Sequence, residues 1–362
     1  MNLEHAIATF RGHTVPHFRI VQQRRRWATA SGIVILLSLL GLFARGINLS
    51  IEFTGGTQLI YDNPAEASVG EIRATLAAEP YAREAAEIQQ VGVGRVSVRT
   101  TSLTDLTPDE RTALITALAD QAGIEPEAIS QQVVGPTWGA QISRQALIGL
   151  VIVLLAITLY ITLRFEWKMA IGAMVALVHD VLITAGIYAL SGREVAPATV
   201  IAILTILGFS LYDTVVIFDK VKENADNPAM LGRATYEDVA NTSMNQVFMR
   251  SVNTSLVVVL PILSLLLFGG ATLKDFALAM FIGTTTGAYS SIFVATPLLV
   301  VLKEREPKMA MLRHRLERES QRRSGDAANA TATPEPANPI VAPSPSPSRA
   351  PQRRPSKKKR RR

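Results

Sequence analysis

The 362-residue chain has no cysteine. That excludes disulfides, thiolate nucleophiles and cysteine-ligated zinc, so any part lying outside the cell folds without covalent staples. Histidine is scarce, and His5, His13, His17, His179 and His314 form no HExxH or comparable metal spacing. A nucleophile–base set and a glycine-rich phosphate loop are also missing from the pattern. No enzymatic site, cofactor or bound metal is expected.

What the chain does have is long apolar runs. Its 48% hydrophobic content is ordinary for a soluble protein, but the apolar residues are concentrated. Trp27–Phe43, Ala146–Leu163, Ala170–Leu190, Ala198–Phe218, Val252–Phe268 and Phe276–Leu302 each approach or exceed the ~18 residues that cross a bilayer core. The first follows Arg24-Arg25-Arg26 as a signal peptide would, but no clear small-x-small cleavage site follows it, so a retained helix is expected. The expected fold is an α-helical polytopic membrane protein with six transmembrane helices and one small α+β domain between helices 1 and 2. Its segments are a basic N-terminal stretch 1–26, helix 1 at 27–45, the α+β domain at 46–143, helices 2–6 within 144–302, and a tail 303–362.

Lys and Arg set the expected orientation. Arg19 and Arg24–Arg26 precede helix 1, Arg164 and Lys168 separate helices 2 and 3, and Lys220, Lys222, Arg233 and Arg250 separate helices 4 and 5. The opposite loops hold only Arg193 and Lys274. Both termini are then cytoplasmic, and 46–143 is exported.

Within that stretch, SIEFTGGTQLIYD reads as a hairpin or bulged strand around Gly55-Gly56. VGEIRATLAAE reads as a helix, VGVGRVSVRTTSL as a strand, LTPDERTALITALADQAG as a helix and AISQQVVGP as a last strand. From about Glu319 the chain is rich in Ala, Pro, Ser and Arg and ends in KKKRRR, a composition too polar to fold. The residues after Leu302 carry about eleven net positive charges, so the tail accounts for the basic pI. Anionic lipid or the ribosome surface suits this tail, as does solvent alone. No specific nucleic-acid partner is expected.

Charge inside the apolar runs points to function. Asp180 and Asp213 lie within helices 3 and 4, and Arg250 opens helix 5. A charge at bilayer depth costs roughly 2.5–3.5 kcal/mol even on insertion scales, so such groups face a bundle interior and handle ions or protons. Asp213 lies about five residues from the end of its run, roughly 7–8 Å below the cytoplasmic boundary. An Asp213–Arg250 pair is within reach. It is either a protonation switch, a static ion pair, or no pair at all, with Arg250 snorkelling to headgroups. Gln246, Arg250 and Asn253 or Thr254 recur at helical spacing as a polar stripe, with Asn241, Asn245 and Ser251 beside it. Gly283–Gly287 reads as a close-packing motif, His179 as a satisfied interior histidine, and Pro261 and Pro297 as kinks.

GINLSIEFTGGTQL, VVGPTWGAQISRQA, LVHDVLITAGIYAL, GFSLYDTVVIFDKVKEN and NQVFMRSVNTSLVVVLP, in this order and spacing, resemble the bacterial SecF family of the resistance-nodulation-division superfamily. The resemblance covers about Arg24 to Lys303. It implies one six-helix half of a transporter, a SecD partner, a SecYEG channel and a translocating polypeptide as further partners, and use of the proton gradient at the cytoplasmic membrane. It gives proton-path roles to Asp213 and Arg250, to which the buried charge adds Asp180. It also marks Glu52, Gly55 and Gly56 as the motif of the exported domain. Ser50, Glu52 and Gln141 depart from the usual residues of the family. The competing readings are half of a solute or lipid exporter of the same superfamily and a non-conducting scaffold.

Overall fold

In hydrocarbon a backbone has no water to bond, so a long apolar run satisfies its amides internally as a helix. The computed structural model describes residues 15–90 and 94–331. Its elements run, in chain order, α1 (Arg24–Arg45), β1 (Asn48–Leu49), α2 (Ile51–Thr54), β2 (Gly56–Asp62), α3 (Val69–Ala77), β3 (Glu87–Gln90), β4 (Arg95–Thr100), α4 (Pro108–Ala122), β5 (Ser130–Val134), α5 (Pro136–Arg164), α6 (Trp167–Ser191), β6 (Glu194–Val195), α7 (Pro197–Ala225), α8 (Pro228–Leu231), α9 (Tyr236–Phe268), α10 (Ala271–Ser290), α11 (Thr296–Glu304) and α12 (Pro307–Thr331). Among the described residues, six helices are long and apolar enough to cross a membrane: α1, α5, α6, α7, α9 and a joint α10–α11 span.

The bundle packs around α6, whose small residues let its neighbours approach. Ala170, Ala173 and Ala176 are buried with Leu177, Leu207, Ile217, Phe218 and Leu299 in one core. A Cβ at Gly172 would come within 3.1 Å of the Ala295 carbonyl. Gly283 lies against Ile206, and a Cβ at Gly287 would come within 2.8 Å of the Ser210 Cβ, so the glycines of α10 seat that helix on α7. Helix α9 is continuous through Pro261. A single π turn, Ser291–Ala295, joins α10 to α11, and Pro297 follows it in the first turn of α11.

Between α1 and α5 lies a four-stranded antiparallel sheet of order β3-β4-β2-β5. Leu59, Tyr61, Val96 and Val98 face Ile72, Leu76, Leu114 and Leu118 of α3 and α4. Both helices start on capping boxes, Ser68 with Glu71 and Thr107 with Glu110, and α4 ends at left-handed Gly123. The Glu71 and Glu110 carboxyls are held below the usual range by the N–H and hydroxyl of their capping residues.

Three features differ from the sequence-based expectation. Residues 51–54 form a helical turn rather than strand, because Gly55 (φ +74°) and Gly56 (φ +123°) reverse the chain before β2 begins. β3 was not expected, since its polar EIQQ lacks the alternation of a half-buried strand. The tail does not lose structure at Glu319: α12 runs to Thr331, and from His314 it belongs to a separate unit. The Arg315–Glu319 pair at 2.9 Å is the kind of one-turn contact that supports a helix without a core. The KKKRRR end lies outside the described residues, as do Val91–Val93 of the expected VGVGRVSVRTTSL strand.

Candidate functional site

Asp180 projects from α6 into the packed centre and is 1% exposed. A carboxylate there must have its oxygens bonded. Ser210 Oγ on α7 donates to its Oδ2 at 2.6 Å and Ser290 Oγ at the end of α10 donates at 2.9 Å. His179 Nδ1 lies 3.1 Å from Oδ1. The adjoining layer is hydroxylic too: Thr214 and Ser291 share a 2.8 Å bond, and Ser291 Oγ donates to the Ser210 carbonyl. The π turn supplies Ser291, so the extra residue in the ladder aims a hydroxyl at α7. His179 is buried and stacks on Tyr289 with centroids 6.0 Å apart, but its Nε2 has no partner among the described residues. His179, expected to be a satisfied interior histidine, is bonded on one of its two ring nitrogens among the described residues.

Asp213 lies in a different setting. It lines a cavity of about 730 Å³ between α7, α9 and α10, together with Ser210, Asn253, Thr254, Ser255 and Thr284. Ser255 Oγ reaches Oδ2 at 3.3 Å and Thr254 Oγ1 reaches Oδ1 at 3.5 Å. Both hydroxyls also bond backbone carbonyls of α9 at 2.9–3.0 Å, so the carboxyl receives their long, shared interactions. Ser210 belongs to both places, since it lines this cavity and bonds Asp180. Thr284 is buried beside the cavity, and its hydroxyl has no protein partner among the described residues.

Arg250 is exposed, and no ion pair joins it to Asp213 among the described residues. Its carbonyl accepts from Thr254 one turn further along α9, which puts the arginine about 6 Å along the axis from the level of Asp213. The polar stripe divides into separate tasks. Asn253 and Thr254 line the cavity. Gln246 accepts from Asn224 at 2.9 Å and ties α9 to α7. Asn241 and Asn245 hold the backbone of Phe18–Val21 through bonds of 2.8–3.2 Å. The asparagine spacing was visible in the sequence, but its partner lies 220 or more residues away.

The Glu52, Gly55 and Gly56 motif forms the joint between the sheet domain and α5. A Cβ on Gly139 of α5 would come within 2.6 Å of the Phe53 carbonyl, so α2 rests directly on the first turn of α5. A Cβ on Gly56 would strike the Thr100 carbonyl. Ser50 Oγ and Gln132 Nε2 donate to Glu52 at 3.3 and 3.4 Å, which links the turn to β5.

Six apolar helices with two carboxyls inside the bundle, and one sheet domain inserted after the first helix, define a multi-pass membrane protein with a polar transport-type interior. Residues 114–305 match "Protein export membrane protein SecD/SecF, C-terminal", and residues 40–61 match the "SecD/SecF GG Motif". The chain is 40% identical to protein translocase subunit SecF of Streptomyces coelicolor over 83% of this chain and 80% of that one. It is 42% identical to SecF of Mycobacterium leprae over 80% of this chain and 65% of the relative. A crystal structure of SecDF from Thermus thermophilus, titled a translocon-associated membrane protein, superposes with TM-score 0.69 at 35% identity over 80% of this chain. The match spans 39% of that longer protein. The chain belongs to the SecD/SecF family of protein export membrane proteins.

Proposed function

We propose that the chain is the SecF-type half of a proton-coupled export machine, working beside a SecD-type half on polypeptides that leave a SecYEG-type channel. The observation that carries this reading is Asp213, a carboxyl on the wall of a largely apolar cavity, contacted by the hydroxyls of Thr254 and Ser255 at 3.3–3.5 Å. Thr205, Asn253 and Thr254 line the same face. Polar groups there are costly against lipid, and a second helical half would cover them. Beside Asp213, the hydroxyls of Ser210, Thr254, Ser255 and Thr284 form a local polar spot in an otherwise apolar wall, where a water would find partners.

A proton arriving through this cavity neutralises Asp213. When it departs, the ionised carboxyl attracts Arg250, which is exposed and stands one turn away. The two states favour different alignments of α7 and α9. Asp180, bonded at 2.6–3.1 Å, keeps α6, α7 and α10 together while this happens and connects to the cavity through Ser210. With both termini cytoplasmic, as the Lys and Arg distribution favours, the sheet domain meets the exported chain on the outer side. The basic tail is assigned a tethering role on anionic lipid or the ribosome, at about 1 kcal/mol per basic residue near an anionic surface.

Asp213→Asn tests the reading, because it keeps the volume and removes the titratable group. The variant should insert and bind its partner, and gradient-driven export in reconstituted vesicles should fall to the level seen without a gradient. Export at the unmodified rate would end the proposal.

A further inference from the structure

Along β4 the side chains alternate, and Val96 and Val98 take the face that packs on α3 and α4. Arg99 therefore lies on the opposite face, where it is 7% exposed. A buried guanidinium needs acceptors on its fork. This one finds them on its cross-strand neighbour and on two segments distant in sequence. It donates to the Leu49 carbonyl and Asn48 Oδ1 of β1 and to Glu87 of β3, and its Nε lies 3.5 Å from Glu194 of β6.

β1 and β6 pair in parallel over only two residue pairs, Asn48 with Glu194 and Leu49 with Val195. Ser50 N–H extends the contact to the Val195 carbonyl at 3.0 Å. So short a ladder holds two bodies poorly by itself, and Arg99 closes over it from the sheet domain. Burial pushes the Glu194 carboxyl above its usual range, while Arg99 pulls it back down. Glu194 lies in the turn between α6, which carries Asp180, and α7, which carries Asp213. Chain continuity joins the sheet domain to α1 and α5. Arg99 joins it to the turn between the two helices that hold the buried carboxyls.

We propose that Arg99 is the positioning residue that couples the sheet domain to the α6–α7 turn, so that displacement of the aspartate-bearing helices is delivered to the domain. This rests on the reading of the chain as a proton-coupled export subunit. The tie runs from β4 through the guanidinium, by a 3.5 Å ion pair without a hydrogen bond to Glu194 and by hydrogen bonds to β1, whose ladder reaches Val195.

The absence of cysteine allows a direct test. The full chain is reconstituted with a SecD-type partner, and proton uptake and gradient-driven export are read in the same vesicles. Arg99→Gln should lower export about tenfold while proton uptake stays within about twofold of the unmodified protein. Arg99→Lys should fall between, since it keeps the charge and loses the planar fork. Leu49→Cys with Val195→Cys, added to Arg99→Gln, places two thiols on paired strand positions within disulfide reach. Oxidation should restore most of the lost export, and a reductant should abolish it again. Export by Arg99→Gln at the unmodified rate, or an oxidised triple variant as impaired as the reduced one, would overturn the proposal. If Arg99→Gln does not fold, Glu194→Gln tests the same tie: export reduced about threefold supports it, and unchanged export contradicts it. Failure of the unmodified protein to show gradient-driven export would instead remove the functional reading beneath it.

Discussion

The surroundings of Asp180 and Asp213 solve the same problem in opposite ways. Asp180 is sealed, with three close partners drawn from α6, α7 and the end of α10. Asp213 stands at a cavity wall, contacted at 3.3–3.5 Å by hydroxyls that also serve backbone carbonyls. A fully bonded carboxyl is a structural node, because changing its charge disturbs every donor around it. A loosely bonded one at a cavity wall can change charge with little rearrangement of its neighbours. The sequence marks both positions alike, as single aspartates in apolar helices. Their partners distinguish them.

Exchanging the chemistry at each position sharpens this contrast. Beyond the loss of export expected for Asp213→Asn, the next largest effect belongs to Asp180→Leu. It strips the carboxyl from Ser210 and His179 and leaves Ser290 only its 3.2 Å bond to the Gly287 carbonyl, and each buried donor left unpaired costs ~1–3 kcal/mol. The variant should be recovered from membranes in greatly reduced yield and melt earlier in detergent. Asp180→Asn keeps an acceptor oxygen and should show a smaller loss of stability. Normal stability of Asp180→Leu would mean that the node is not structural.

A smaller effect is expected at Arg250, because it makes no ion pair with Asp213 among the described residues. Arg250→Lys keeps the charge but loses the fork that could grip a carboxylate. Export should fall roughly fivefold, the equivalent of about 1 kcal/mol, with normal stability. An unchanged rate would leave Arg250 as a headgroup anchor. The smallest effect belongs to the tail. Truncation after Arg323 should leave export in ribosome-free vesicles unaltered, while the isolated tail peptide binds anionic liposomes or ribosomes in a salt-sensitive manner. Loss of vesicle export would place the tail in the motor.

Local patterns were legible in the sequence, and long-range partners were not. Apolar runs announced the six helices, and Thr107-Pro108-Asp109-Glu110 announced the start of α4. The aspartates stood out because charge in such runs is rare. By contrast, Ser210 and Ser290 look like ordinary small residues, and only the packing of α7 and α10 on α6 brings them to Asp180. Ile51–Thr54 was read as strand because its apolar residues alternate, but the Gly55-Gly56 reversal confines it to one helical turn on α5. Arg99 gave no signal, since one arginine in a strand of a polar domain is unexceptional. Its importance comes from β1 and β6, which meet it across 50 to 95 positions of chain.

The contrast between the two carboxyls is tested most directly by their reactivity toward a hydrophobic carbodiimide, which modifies protonated carboxyls that it can reach. The full chain in membranes is treated across a range of pH and the adducts are located by peptide mass spectrometry. Modification at Asp213, increasing as the pH is lowered and absent in Asp213→Asn, with Asp180 untouched, is the expected result. Modification of Asp180 with Asp213 spared would contradict the account.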